Sequence, residues 1–255
     1  TQNNLPVGVL TNSSDENFDN TAFRQKLDLM YQVKLDSMSN LKITVDGTLK
    51  NSQTRNTFDG SSLRGNNVLL NTSARTLTND REQRMFNATA FWNRKFRKAG
   101  RTISLNIKQS LNDEETDGFL NSANDFFNTQ GVLDSVQLID QQKINNTVSS
   151  VFNSTLAYTE PLTKHLSVVI NYGLGINNST ADRKSFNQSA SGRYDVLDPL
   201  FSNDFSLDQL SNQFGAIFNY KKNKAVVNFG SKASAVNFRQ IDNNSGVKYD
   251  RNFLN

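Results

Sequence analysis

The stretch Thr147–Asn177, TVSSVFNSTLAYTEPLTKHLSVVINYGLGIN, decides the fold. In its first half Val148, Phe152, Leu156 and Tyr158 share one face, and Ser149, Asn153, Thr155 and Thr159 take the other. In its second half Leu166, Val168, Ile170, Tyr172, Leu174 and Ile176 oppose Ser167, Asn171, Gly173 and Asn177, with Val169 the exception. Successive strand side chains point to opposite faces, so each run is a strand with one apolar and one polar side. The short segment Glu160–Lys164 between them contains Pro161, which cannot sit inside a ladder, and the pair reads as a hairpin. Soluble strands usually run about 5–6 residues. Strands of about 9–11 residues, tilted near 45°, are what a membrane barrel needs.

The same rhythm covers the chain. Leu27, Leu29, Tyr31, Val33 and Leu35 alternate with charged and amide residues, then Leu41, Ile43, Val45 and Leu49 follow a turn at Asp36–Asn40. Phe86, Ala88, Ala90 and Trp92 precede a turn at 96–100, and Ile103, Leu105, Ile107 and Leu111 follow it. Phe214, Ala216, Phe218 and Tyr220 precede a turn at 221–224, and Ala225, Val227 and Phe229 follow. Residues 1–20, 52–81, 112–131, 178–205 and 241–255 lose the alternation and read as loops, with 132–142 open to pairing as a strand extension. The expectation is an all-β, antiparallel, up-and-down transmembrane barrel segment of about eight long strands, with short periplasmic turns and long extracellular loops. A β-sandwich would also alternate, but its connections would not sort so cleanly by length.

Composition agrees. Apolar residues make up 36% of the 255, mean hydropathy is −0.59, and Asn, Ser and Thr are abundant. A soluble core of this size wants more Leu, Ile and Val. A membrane barrel does not, since its lumen is polar and lipid covers its apolar face. No run of 18 apolar residues exists, so a transmembrane helix is excluded. Cysteine is absent, which excludes disulfides and thiolate metal sites. The chain begins with Thr and carries no leader pattern, and is read as a mature or excised segment.

Trp92, Tyr158 and Tyr220 each close an aromatic-x-small-x run just before a short turn, and Tyr31 stands in the equivalent place on the first strand. Rings with one apolar and one hydrogen-bonding end gather at membrane interfaces, so these four form the expected interface belt. Leu27, Leu29, Phe86, Phe152, Leu156, Val168, Ile170, Phe214 and Phe218 are the expected lipid-facing set.

Tyr158-Thr159-Glu160-Pro161-Leu162, with the long strand that ends near Asn177-Asn178-Ser179, resembles the TonB-dependent-receptor-like outer-membrane β-barrel family of Bacteroidota. Ile139-Asp140-Gln141, Gly192-Arg193-Tyr194-Asp195 and Leu210-Ser211-Asn212 fit the same pattern. The resemblance implies a bacterial outer-membrane location, an amino-terminal plug, energy delivered through the TonB system, and uptake of bulky or scarce solutes. It implies outer-membrane lipid, a plug domain and the TonB system as partners in the parent protein, and leaves a surface lipoprotein open as a further one. Residues 1–255 show no plug and no barrel-ending aromatic at Phe253-Leu254-Asn255, so they read as one internal segment of a larger barrel domain. A non-transporting barrel, serving as scaffold or adhesin, is the alternative, and a soluble β-rich binding domain a more distant one.

No catalytic, metal or cofactor site is expected. His165, the single histidine, sits beside a turn without convergent partners. Asp113, Glu114, Glu115 and Asp117 lack the ordered spacing of a calcium loop and read as a solvated charged loop. The basic residues at 94–101 and 221–224 are not tied to a stacking platform, which argues against nucleic acid. On the polar face Lys42, Lys50, Lys108 and Lys232 outnumber the acids beside them. A closed eight-stranded barrel has an interior only wide enough for side chains, where unpaired lysines are costly. The sheet is therefore expected to be open, with its two edges unpaired.

Overall fold

The structure, a computed structural model, describes residues 2–5, 8–65 and 67–255. Among these described residues eleven strands lie in one antiparallel sheet: β1 (Gln2–Leu5), β2 (Gly8–Lys34), β3 (Ser39–Arg64), β4 (Val68–Lys95), β5 (Thr102–Phe127), β6 (Leu133–Pro161), β7 (Leu166–Gln188), β8 (Tyr194–Leu197), β9 (Asn203–Lys222), β10 (Ala225–Asp242) and β11 (Lys248–Leu254). Each pairs with its sequence neighbour, except that β9 joins β7 directly and the short β8 extends the same edge. Eight of the strands are long, between 18 and 29 residues.

The turns at 35–38, 96–101, 162–165 and 223–224 all fall at one end of the sheet, as up-and-down topology requires. Neighbouring turns are tied together: Lys95 N–H donates to Met38 O at 2.8 Å, and Lys221 N–H to His165 O at 2.8 Å. The tightest turn has Asn223 at φ 53°, a left-handed conformation that Asn tolerates and a two-residue hairpin demands.

The segments read as loops are strand. The β2–β3 hairpin continues upward through residues 10–64, β3–β4 through 52–81, and β5 through 112–127, so the acidic run Asp113–Asp117 lies in a ladder. The region 178–205 is strand to Gln188, resumes at β8 and again at β9, and 248–254 form β11. The part of the first loop at residues 1, 6 and 7 lies outside the described residues. The 132–142 extension is strand from Leu133 onward.

Register gives the tilt. From Lys34, at the end of β2, the paired row passes through Asn40, Asn93, Ser104, Ala157, Asn171 and Gly215 to Lys232. Lys232 lies seven residues beyond Ala225, the start of β10, so the turns climb one residue per strand. A rise of about 3.3 Å per strand spacing of about 4.8 Å is a slope of roughly 35°. That is the stagger of a barrel wall, where strands tilt about 35–45°.

The sheet is open. Among the described residues nothing pairs with the outer edge of β2 over 13–34, or with that of β10 over 225–233. Nor is there a core: no apolar side chain among the described residues is buried, and the buried polar side chains are those of Ser39, Thr48, Ser52, Gln141 and Ser185. Folding in water is driven by apolar burial, and this sheet buries none of its large apolar side chains fully.

Candidate functional site

Cross-strand partners share a face, so the register sorts every side chain. One row joins Val33, Leu41, Trp92, Leu105, Leu156, Tyr172 and Phe214. The next joins Leu29, Val45, Ala88, Gln109, Phe152, Ile176 and Leu210. Leu27 and Phe86 flank Gly47 in a third, Tyr158 meets Ile170, Val168 meets Phe218, and Tyr220 meets Leu166. All thirteen residues of the expected belt and lipid-facing sets thus lie on one face. Trp92, Tyr158 and Tyr220 stand two or three residues from the ends of β4, β6 and β9 at the turn side.

The apolar face has an upper border. On β3 it runs Leu41 to Leu49 and gives way to Asn51, Gln53 and Arg55; on β5 it runs Ile103 to Leu111 and gives way to Asp113, Glu115 and Asp117. On β9 it runs Tyr220 to Leu210 and gives way to Asp208, Ser206 and Asp204. A band of about 9–11 residues, tilted as above, is close to the apolar height of an outer-membrane barrel, about 25 Å. Two polar interruptions inside the band are satisfied sideways: Gln109 Nε2 donates to Ser150 Oγ at 3.0 Å, and Tyr172 O–H donates to Asn212 Oδ1 at 2.6 Å. That pairing is what a medium without water demands of polar groups.

Just above the border the same face is acidic. Glu82 stands opposite Glu115, Asp80 opposite Asp117, and Asp182 opposite Asp204. Arg84 reaches Glu82, Asp113 and Glu115 at 3.0, 3.2 and 3.7 Å. Asp182 takes Lys184 at 2.6 Å. A depression of about 690 Å³ lies over this region, lined by Phe23, Asp80, Arg81, Glu82, Glu115 and Asn146 among others.

At the opposite border, between the belt and the turn, Glu160 gathers Arg101 (Nε at 2.6 Å), Lys98 (Nζ at 2.5 Å) and the Tyr158 hydroxyl (2.7 Å). Hydrogen bonds from Arg101 first, then Lys98 and Tyr158, hold its carboxyl well below the usual range. The basic turn residues are therefore partly an anchor for one carboxylate. His165 Nδ1 lies 3.1 Å from Lys221 O, and among the described residues it meets no acid.

The polar face carries the feature that sequence reading missed. Between β8 and β9 the chain leaves the sheet at Asp198–Ser202 and folds over this face as a strap. Asp198 Oδ2 accepts from Gln141 Nε2 at 2.9 Å and Asn187 Nδ2 at 3.1 Å, while Ser185 Oγ donates to Phe201 O at 3.1 Å. Asp198 N–H donates to Ser185 O at 2.8 Å, and Ser202 Oγ donates to Asp198 O at 2.6 Å. Gln141 and Ser185, at 3% exposure each, are the two anchors on β6 and β7. The strap ends in Leu200, 88% exposed, and Phe201, whose ring lies 5.6 Å from Lys143 Nζ. The signal available in the sequence was the Asp198-Pro199 pair, a turn former within an otherwise polar stretch.

A tilted, staggered, one-sidedly apolar sheet without a core is the wall of a membrane β-barrel. Residues 94–255 match the Outer membrane protein beta-barrel family, and the chain belongs to that family. It is a protein of the bacterial outer membrane. No curated protein matches the chain.

Proposed function

We propose that this chain is part of the barrel of a TonB-dependent receptor or transporter that takes up a bulky or scarce solute. The observation that carries the reading is the open sheet. Eight long strands with the stagger of a barrel wall leave β2 over 13–34 and β10 over 225–233 unpaired on their outer edges among the described residues, which calls for further strands and a lumen wider than side chains alone would fill. The resemblance around Tyr158–Leu162 supports the same class. In this reading the apolar face meets outer-membrane lipid, Tyr31, Trp92, Tyr158 and Tyr220 sit at the interface, and the plug and TonB contact belong to the parent protein. A surface lipoprotein remains a candidate partner above the strands. No catalytic role is proposed.

The test is uptake in the native cell. Deletion of the gene should abolish growth on a subset of scarce nutrients, and a protonophore should stop uptake of the same solutes. Uptake that continues without the proton gradient would overturn the energised reading and leave a passive barrel.

A second reading, a scaffold or adhesin barrel, is favoured by one observation. The strands run well past the apolar border as polar hairpins, a surface suited to contacts outside the membrane. Unimpaired growth on every nutrient, with lost surface adhesion, would select it.

A further inference from the structure

The charges on the polar face are not balanced by the sheet itself. Its carboxylates on the eight long strands are Glu16, Asp28, Asp46, Glu114 and, at the end of β10, Asp242. Every one of them is already engaged. Glu16 accepts from Asn56 at 2.7 Å, Asp28 pairs with Lys26 at 2.9 Å, Asp46 accepts from Asn87 at 2.8 Å, Glu114 pairs with Arg81, and Asp242 caps its own turn through Ser245 at 2.7 Å. Asp198, on the strap, is taken by Gln141 and Asn187.

On the same face Lys26 and Arg81 are paired with carboxylates, and most of the other cations are not. Among the described residues no carboxylate lies within 4 Å of Lys42, Lys50, Lys108, Lys143, Arg183 or Lys232. Arg24 even stands directly opposite Lys50 in the β2–β3 register, an arrangement that like charges disfavour. Most of the strand carboxylates are on the other face, with Asp80, Glu82, Glu115, Asp117, Asp182 and Asp204 in the collar above the apolar border. A barrel wall that keeps its surplus carboxylates outside and its surplus ammonium and guanidinium groups inside sets up a positive potential in the lumen. Low-dielectric walls focus such a field, and rings of Lys and Arg are how anion pores are built.

We propose that the lumen selects for anions, and that the solute it receives carries carboxylate or phosphate groups. The inference needs only the barrel wall, and stands whether or not the TonB-dependent reading does. Lys108, at band height and flanked by Thr89 and Asn153, is the central contact, with Lys42 and Lys50 on β3 and Lys143 beneath the strap.

The chain has no cysteine, and with any cysteine of the parent protein replaced by Ser a single introduced thiol reports its own surroundings. In the whole protein, reconstituted in lipid vesicles, Asn153→Cys is reacted with an anionic sulfonatoethyl and a cationic trimethylammonioethyl methanethiosulfonate. The same thiolate attacks both reagents and displaces methanesulfinate, so the ratio of their rates, relative to a small free thiol, reads the local potential and cancels the thiol's own ionisation. The expected ratio favours the anionic reagent by about tenfold at low salt. It should fall toward one near 1 M salt, where the screening length is about 3 Å. Adding Lys108→Gln should lower it; if that variant fails to fold, Lys42→Gln serves. Ser154→Cys, on the apolar face, should react with neither reagent. A ratio at or below one overturns the proposal, and so does an Asn153→Cys that neither reagent reaches, because the face would then not be a wetted lumen.

Discussion

The lower and upper halves of the same strands obey different rules. Below the border, Leu41 to Leu49 on β3 alternate with Lys42, Thr44, Asp46 and Thr48, and the two faces have opposite character. Above it, Asn51 to Ser61 alternate with Ser52, Thr54, Asn56 and Phe58, and both faces are largely polar. The ladder does not change across the border; hydrogen bonding and register run through it. What changes is the medium. Where one face meets lipid and the other water, the pattern must alternate, and where both meet water it need not.

The sharpest way to break this comparison is to place a charge on each half. Phe152→Arg, outward and near mid-band, should destabilise the barrel by about 2–4 kcal/mol, the usual cost of a lipid-facing charge at the midplane. Thr78→Arg, on the same face above the border, should stay within about 0.5 kcal/mol of the parent, as surface substitutions do. A urea titration in lipid vesicles measures both. Equal costs at the two positions would show that the border is not a membrane border.

Next in size is the strap. Asp198→Ala removes one acceptor from each of the Gln141 and Asn187 amides, and a buried donor left unpaired costs about 1–3 kcal/mol. The loss should stay local, since Asn187 Oδ1 still accepts from Gln141 Nε2 at 2.9 Å. Hydrogen exchange should quicken at 198–202 and at Ser185, with protection of the band unchanged. Uniform loss of protection through β5 and β7 would mean that the strap holds the sheet rather than resting on it.

A third measurement concerns the upper hairpins. Removing residues 55–78 and rejoining Thr54 to Asn79, which face each other across β3 and β4, shortens one hairpin above the border. The remaining barrel should still fold and keep its heat-modifiable mobility in gels. Loss of folding would make the upper half part of the folding unit.

The same division explains what the sequence shows and hides. Hairpin pairing, turn positions and the opposite faces of Leu156 and Thr155 are legible because the lower half alternates apolar and polar side chains with a period of two. The upper strands were not, because 52–81 and 112–127 carry Asn, Thr, Asp and Gly with no imposed face and so resemble loop composition. Chain length held a further clue, since loops beyond about 12–15 residues without structure of their own are uncommon. The charge sidedness needed the register: Glu114 and Glu115 are neighbours in sequence, and only the ladder shows that one pairs inward with Arg81 while the other belongs to the outer collar.

The smallest expected effect is a pH dependence at the turn end. Glu160 lies outside the apolar band, and Arg101, Lys98 and Tyr158 hold its carboxyl below the ordinary value of 4.5. A carboxyl depressed in the folded state stabilises it above the ordinary value and loses that contribution as pH falls toward the folded value. The group is in contact with solvent, so screening keeps the contribution modest and salt-sensitive. The denaturant midpoint of the parent should therefore decline below pH 4.5 more steeply than that of Glu160→Gln, whose amide neither titrates nor attracts Arg101 as strongly. At neutral pH the two proteins should differ slightly, and raising the salt should bring them together. Identical acid limbs for parent and variant would show that the cluster positions the turn between β6 and β7 without contributing charge–charge stability, and that the anchoring at this border comes from the aromatic belt alone.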